Sequence, residues 1–187
     1  MPSLRSFSIF QRFSLLIAIV VLGLIVLSIS SLTNQYNALK NEQYLKTQNV
    51  VETAHSIIEH FHDLEQNNSL TQQQAKTQAL ETIKALRYDS TNYFWINDYQ
   101  PTMIMHPIKP ALDNKDLSNN KDPDGKALFV EMANIVKRDG EGFIPYKWPK
   151  PGKDQPVEKV AFVKGFSQWQ WIIGSGVYLD SIDEAFS

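Results

Sequence analysis

The chain has 187 residues, a formal net charge of −2, 43% hydrophobic and 20% charged residues, and no cysteine. That length holds one domain plus an anchor and is short for two full domains. The slightly acidic balance disfavours a nucleic-acid partner, and the missing thiols exclude disulfides, thiolate metal sites and a cysteine nucleophile.

No charged side chain occurs from Phe13 to Leu39, and Phe13 to Leu32 is dominated by Leu, Ile, Val and Ala. About 20 apolar residues cross a ~30 Å hydrocarbon core as a helix. Arg5 and Arg12 precede the segment, and no basic residue follows before Lys40. Residues 1–12 are therefore expected in the cytoplasm, 13–33 as one transmembrane helix, and 34–187 on the far side of the membrane. The run is longer than a signal-peptide core and Ser28 to Thr33 makes a poor cleavage site, which favours an uncleaved anchor.

Val50, Val51, Ala54, Ile57, Ile58, Phe61 and Leu64 recur at spacings of three and four, and no Pro or Gly interrupts Asn34 to Asn68. One long amphipathic helix over 34–66 is predicted to rise from the membrane, with two copies pairing along it. Thr71 and Gln74 form a capping-box pattern that opens a second helix over 71–88, with Ala75, Ala79, Ile83 and Leu86 facing inward. An aromatic strand over 92–97 and a second over 102–106 read as a hairpin. The polar stretch 107–123 is too long for a connector and is expected to fold over the sheet as a lid. A helix over 126–137, strands over 143–148, 157–166 and 169–177, and an amphipathic helix over 178–187 complete the chain. This order predicts an α+β fold whose antiparallel sheet packs helices on one face and leaves the other for a pocket.

Strand parity places Tyr93, Trp95 and Asn97 on one face and Phe94 and Ile96 on the other, while Ile144, Tyr146 and Trp148 share a face. Tyr93, Trp95, Tyr146 and Trp148 then become candidate pocket walls with hydrogen-bonding tips. Arg87 ends the second helix, where it either complements the dipole or clamps a carboxylate with its fork. His106, before Pro107, is a candidate donor that titrates near neutrality. It lacks evident co-ligands, so no metal is expected. Lys164 lies between Phe162 and Phe166, and a buried cation on that parity requires an anion. Lys159 lies on the opposite parity, and both also fit solvated edge lysines. Asp122 to Gly125 reads as a turn and helix cap rather than a calcium loop. No phosphate-cradling loop, nucleophile elbow or pair of converging carboxylates is present, so neither an enzyme nor a cofactor is expected.

Taken in order, residues 93–98, 105–107, 115–117, 122–125, 140–143, 146–149 and 169–178 resemble the single Cache domain, type 2, of bacterial chemoreceptors and sensor kinases. The similarity runs from about Leu39 to Asp183. It implies a PAS-like sheet on a long amino-terminal helix, held in the periplasm by an inner-membrane anchor. It also implies binding of small carboxylates such as short-chain organic acids, and it raises Lys159 as a site residue. The expected role is sensing for chemotaxis or signal transduction. An anchored interaction subunit with a vestigial pocket, or an enzyme acting on an organic acid, are the alternatives. No second span and no methyl-accepting or kinase region follows, so the chain is expected to be a truncated receptor or a stand-alone sensor with a separate partner.

Overall fold

The structure, a computed structural model, describes residues 8–180. Helix α1 runs unbroken over Ile9–Gln66, opened by a reciprocal cap between Ser8 and Gln11. The apolar segment and the amphipathic helix are thus one rod, since nothing between them breaks the backbone ladder. It is the one helix among the described residues long and apolar enough to cross a membrane. Its distal half turns Val51, Ala54, His55 and Ile58 inward. Helix α2, Gln72–Ala85, starts at the Thr71/Gln74 box and packs Ala75, Ala79 and Ile83 against α1. It ends three residues earlier than the expected 88. Leu86 is extended, and the Arg87 guanidinium donates to the Lys84 and Leu86 carbonyls at 2.8 and 2.7 Å.

Five antiparallel strands follow: β1 Phe94–Asp98, β2 Met103–Met105, β3 Glu141–Pro149, β4 Pro156–Phe166 and β5 Trp171–Tyr178. Their order is β2-β1-β5-β4-β3, so the hairpin docks beside the end of the three-strand meander. Helix α3, Leu128–Asp139, precedes β3 and ends at Gly140, whose φ of 82° suits a residue without Cβ. The expected helix over 178–187 lies mostly outside the described residues, and Tyr178 closes β5.

Alternation assigns two cores. Phe94, Ile96, Phe162, Phe166, Trp171 and Ile173 face α1 and α2. Tyr93, Trp95, Ile144, Tyr146, Trp148, Ala161, Val163 and Ile172 line the opposite face. The expectation that this second face stays free of helix is corrected. Helix α3 covers part of it with Leu128, Phe129, Met132 and Val136, because a sheet this apolar on both sides needs two covers. The segment 106–127 covers more. It contains a 3-10 turn at Pro110–Leu112, returns along β2 through backbone bonds such as Met103 to Lys115, and packs Ile108, Leu112 and Leu117 onto the same core.

Candidate ligand-binding site

Lys159 is the centre of the second face. It lies mid-sheet in β4, paired across to Tyr146 on β3 and to Tyr178 on β5. It is 1% exposed, and no carboxylate pairs with it among the described residues. Its Nζ donates to the Tyr93 hydroxyl at 3.2 Å and stands over the rings of Tyr93 (4.5 Å), Tyr178 (4.7 Å) and Trp95 (5.5 Å). Aromatic faces stabilise an ammonium by roughly 0.5–2 kcal/mol each, less than the several kcal/mol that burying a charge costs. Burial first, and then the Lys109 ammonium, push the Lys159 amine down to about 7.

His106 follows β2 and is 2% exposed. Its Nδ1 accepts from the backbone N–H of Lys109 at 2.9 Å and of Ile108 at 3.3 Å. An acceptor at Nδ1 assigns the hydrogen to Nε2, so the ring offers one donor. The expectation of titration near neutrality is corrected. Burial, then Lys159 and Lys109, push the imidazole down to about 3, and it stays neutral. Its ring lies 5.1 Å from that of Tyr93 and 6.1 Å from that of Trp148.

Tyr93, Trp95, Tyr146 and Trp148 are all buried on this face. Their roles divide. Trp95 donates its indole N–H to Asn97 at 3.1 Å and packs the floor. Burial pushes the Tyr93 phenol up to about 12, offset in part by hydrogen bonding with Tyr178 and Trp148. Tyr146 is pushed upward by burial as well. The phenols therefore stay neutral donors.

Two glycines of β5 make room for this cluster. A Cβ on Gly176 would stand 2.9 Å from Cε of Lys159, and one on Gly174 would overlap the Trp95 ring, with Cε2 at 2.8 Å. The indole is buried and hydrogen-bonded to Asn97, so it cannot yield cheaply. Gly174→Ala is expected to destabilise the domain by about 1–3 kcal/mol, read as a lower midpoint in urea unfolding.

The structure does not bring Arg87 or Lys164 to this cluster. Arg87 is exposed at the end of α2, its guanidinium committed to two carbonyls. Lys164 faces the α1 side of the sheet and pairs with Glu141 directly across on β3. The anion its parity demanded is a neighbouring side chain. Two residues unnamed in the sequence reading belong instead. Tyr178 lies on the same parity as Gly174 and Gly176, a signal the alternation of the last strand carried. Lys109 comes from the covering segment, with Nζ 4.6 Å from the Trp148 ring centroid, and no periodic signal marks it.

Comparison with known proteins places this geometry. The family described as Cache domain matches residues 23–187. The chain is 43% identical over all 187 residues to the methyl-accepting chemotaxis protein McpP of Pseudomonas putida, of which it spans about a third (34%). A solved structure concerning carboxylic acid recognition by a Cache chemosensory domain is 49% identical, with a TM-score of 0.74 over 77% of this chain and 98% of that one. A solved periplasmic sensor domain of a chemotaxis protein is 44% identical, with a TM-score of 0.74 over 76% of this chain and 98% of that one. With its long helix, five-stranded sheet and matched sequence, the chain belongs to the Cache domain family.

Proposed function

We propose that the chain is an extracytoplasmic sensor domain on a single inner-membrane anchor, and that it binds a small monocarboxylate, a short-chain organic acid, for chemotaxis or signal transduction. The observation that carries this reading is Lys159, a fully buried amine that meets three aromatic rings and no carboxylate. An incoming carboxylate supplies the missing charge and accepts from the Lys159 ammonium, the Tyr93 hydroxyl and His106 Nε2–H. Charge-assisted bonds of this kind contribute about 1.5–3 kcal/mol each. The ring centroids of Tyr93, Tyr178 and Trp95 stand within 5.5 Å of the Lys159 amine, which favours a short ligand. Carboxylic acid recognition by a similar solved domain points the same way.

Occupancy has two mechanical routes outward. His106 binds the backbone of residues 108 and 109 through Nδ1, so a ligand on Nε2 steadies the covering segment. Tyr178 ends β5, and β4 and β5 lie against α1, the rod leading to the membrane. A tenfold shift of a two-state equilibrium needs only ~1.4 kcal/mol of differential affinity. Exposed Leu39 and Leu45 on α1 support pairing of two copies along that helix.

Titration calorimetry on the full chain in detergent micelles tests the binding role. Propionate and acetate are expected to release heat with saturation, while propionamide, of similar shape but neutral, gives none. Silence across the carboxylates overturns the proposal. Arg87→Ala is expected to leave the isotherm unchanged.

A further inference from the structure

An open cavity of about 410 Å³ lies between the covering segment and the adjoining ends of β3 and β4, and the binding cluster does not account for it. Its walls include Lys109, Leu112, Asn120, Asp122, Trp148 and Pro156. Trp148 is shared. The same indole that flanks His106 and Tyr93 forms part of this wall, with the Lys109 ammonium 4.6 Å from its centroid.

The polar groups around the cavity differ in how they are satisfied. Asp122 is fully engaged by the backbone N–H groups of Asp124, Lys126 and Lys147 at 2.9–3.1 Å. Lys147 is held by Asp124 and Glu158 at 3.0 and 3.7 Å. Lys109 has no ion pair among the described residues. Asn120 Oδ1 is buried and has no hydrogen-bond partner, the one such side-chain atom found among them. The Lys109 ammonium shares this cavity with an unsatisfied amide oxygen and with the exposed Lys121, a combination that fits an anion bringing a hydrogen-bond donor with it, as a hydrated carboxylate does.

We propose that this cavity is a second carboxylate subsite, a vestibule in which the anion pauses at Lys109, with a bound water on Asn120, before passing Trp148 to reach Lys159. The proposal rests on the carboxylate-binding reading of the inner cluster. It also explains an otherwise unfavourable placement. Lys109 acts on both His106 and Lys159 through space, and none of the three forms an ion pair with an acid among the described residues. A cation at the mouth draws an anion in from solvent, and salt screens that attraction. The inner cluster then holds what the outer one collects.

Stopped-flow tryptophan fluorescence of the full chain in detergent micelles, with propionate as probe, tests the vestibule. In the parent the association rate is expected to fall as salt rises. Lys109→Gln is expected to lower that rate about tenfold at low salt and to flatten its salt dependence. Asn120→Asp, which puts a like charge at the mouth, is expected to slow association in the same way, and it serves if the first variant folds poorly. A parent that binds propionate while both variants keep its association rate and salt slope overturns the vestibule alone. So does a loss confined to dissociation, which makes Lys109 a contact of the inner site. A parent without any propionate signal overturns the inner reading together with this one.

Discussion

Lys159→Met is expected to abolish carboxylate binding and to make the unliganded domain more stable. The two effects have one cause. The lysine sits in a fully buried, aromatic-walled position with no acidic partner, and its amine is pushed down to about 7 by burial and by Lys109. Methionine has similar length, fills the space beside Gly176, and carries no charge to desolvate. Replacing an unpaired buried cation with a packed apolar side chain recovers about 2 kcal/mol, or roughly 4–8 °C in a domain of this size. Calorimetry with propionate and a thermal melt of the same preparation check both halves. A variant that still binds places the anion elsewhere. One that binds nothing and melts lower makes the lysine a structural fixture.

Raising the pH above neutrality is expected to weaken carboxylate affinity, by about fivefold from pH 7 to 8 and approaching tenfold per unit beyond, so about fiftyfold between pH 7 and 9. The groups facing Lys159 are Tyr93 on β1, Tyr146 on β3, Tyr178 on β5, and His106 and Lys109 from the covering segment. Burial pushes all three phenols up and the imidazole down to about 3, so these four stay neutral across that range. Lys159 is the group among them that crosses its midpoint near 7. Binding then draws in about half a proton at pH 7, visible as a dependence of the calorimetric heat on the buffer's ionisation enthalpy. Stability of the unliganded domain carries the opposite sign. The folded amine titrates near 7 and the unfolded one near its usual 10.5, so the unfolded chain holds more protons between those values. Unliganded stability therefore gains from this group as pH rises through that window, while affinity falls. An affinity flat from pH 6 to 9 refutes the role given to the ammonium.

The elements were legible because each has a local cause. Thr71 and Gln74 mark the start of α2 by chemistry that needs no tertiary contact, and the unbroken spacing from Val50 to Leu64 marks the buried stripe of α1. Parity also sorted the strand residues between the two cores, since a side chain's face on a strand follows from position alone. The two cations that stand apart from the Lys159 cluster share a different origin. Of the two roles open to Arg87, the structure shows the one at the helix end, on two carbonyls there, while Lys164 meets its anion in Glu141 one strand away. Local pairing costs little chain entropy and competes well with any ligand.

What the sequence alone determined is the order of the elements, the sorting of strand residues between two faces and the aromatic character of one of them, because periodicity and caps are short-range properties. The tertiary structure decided which cation stands unpaired among those rings, and it brought in Tyr178 and Lys109 from a strand end and a covering segment. Burial and charge neutralisation depend on everything that packs around a group, and residues far apart in the chain supply that packing.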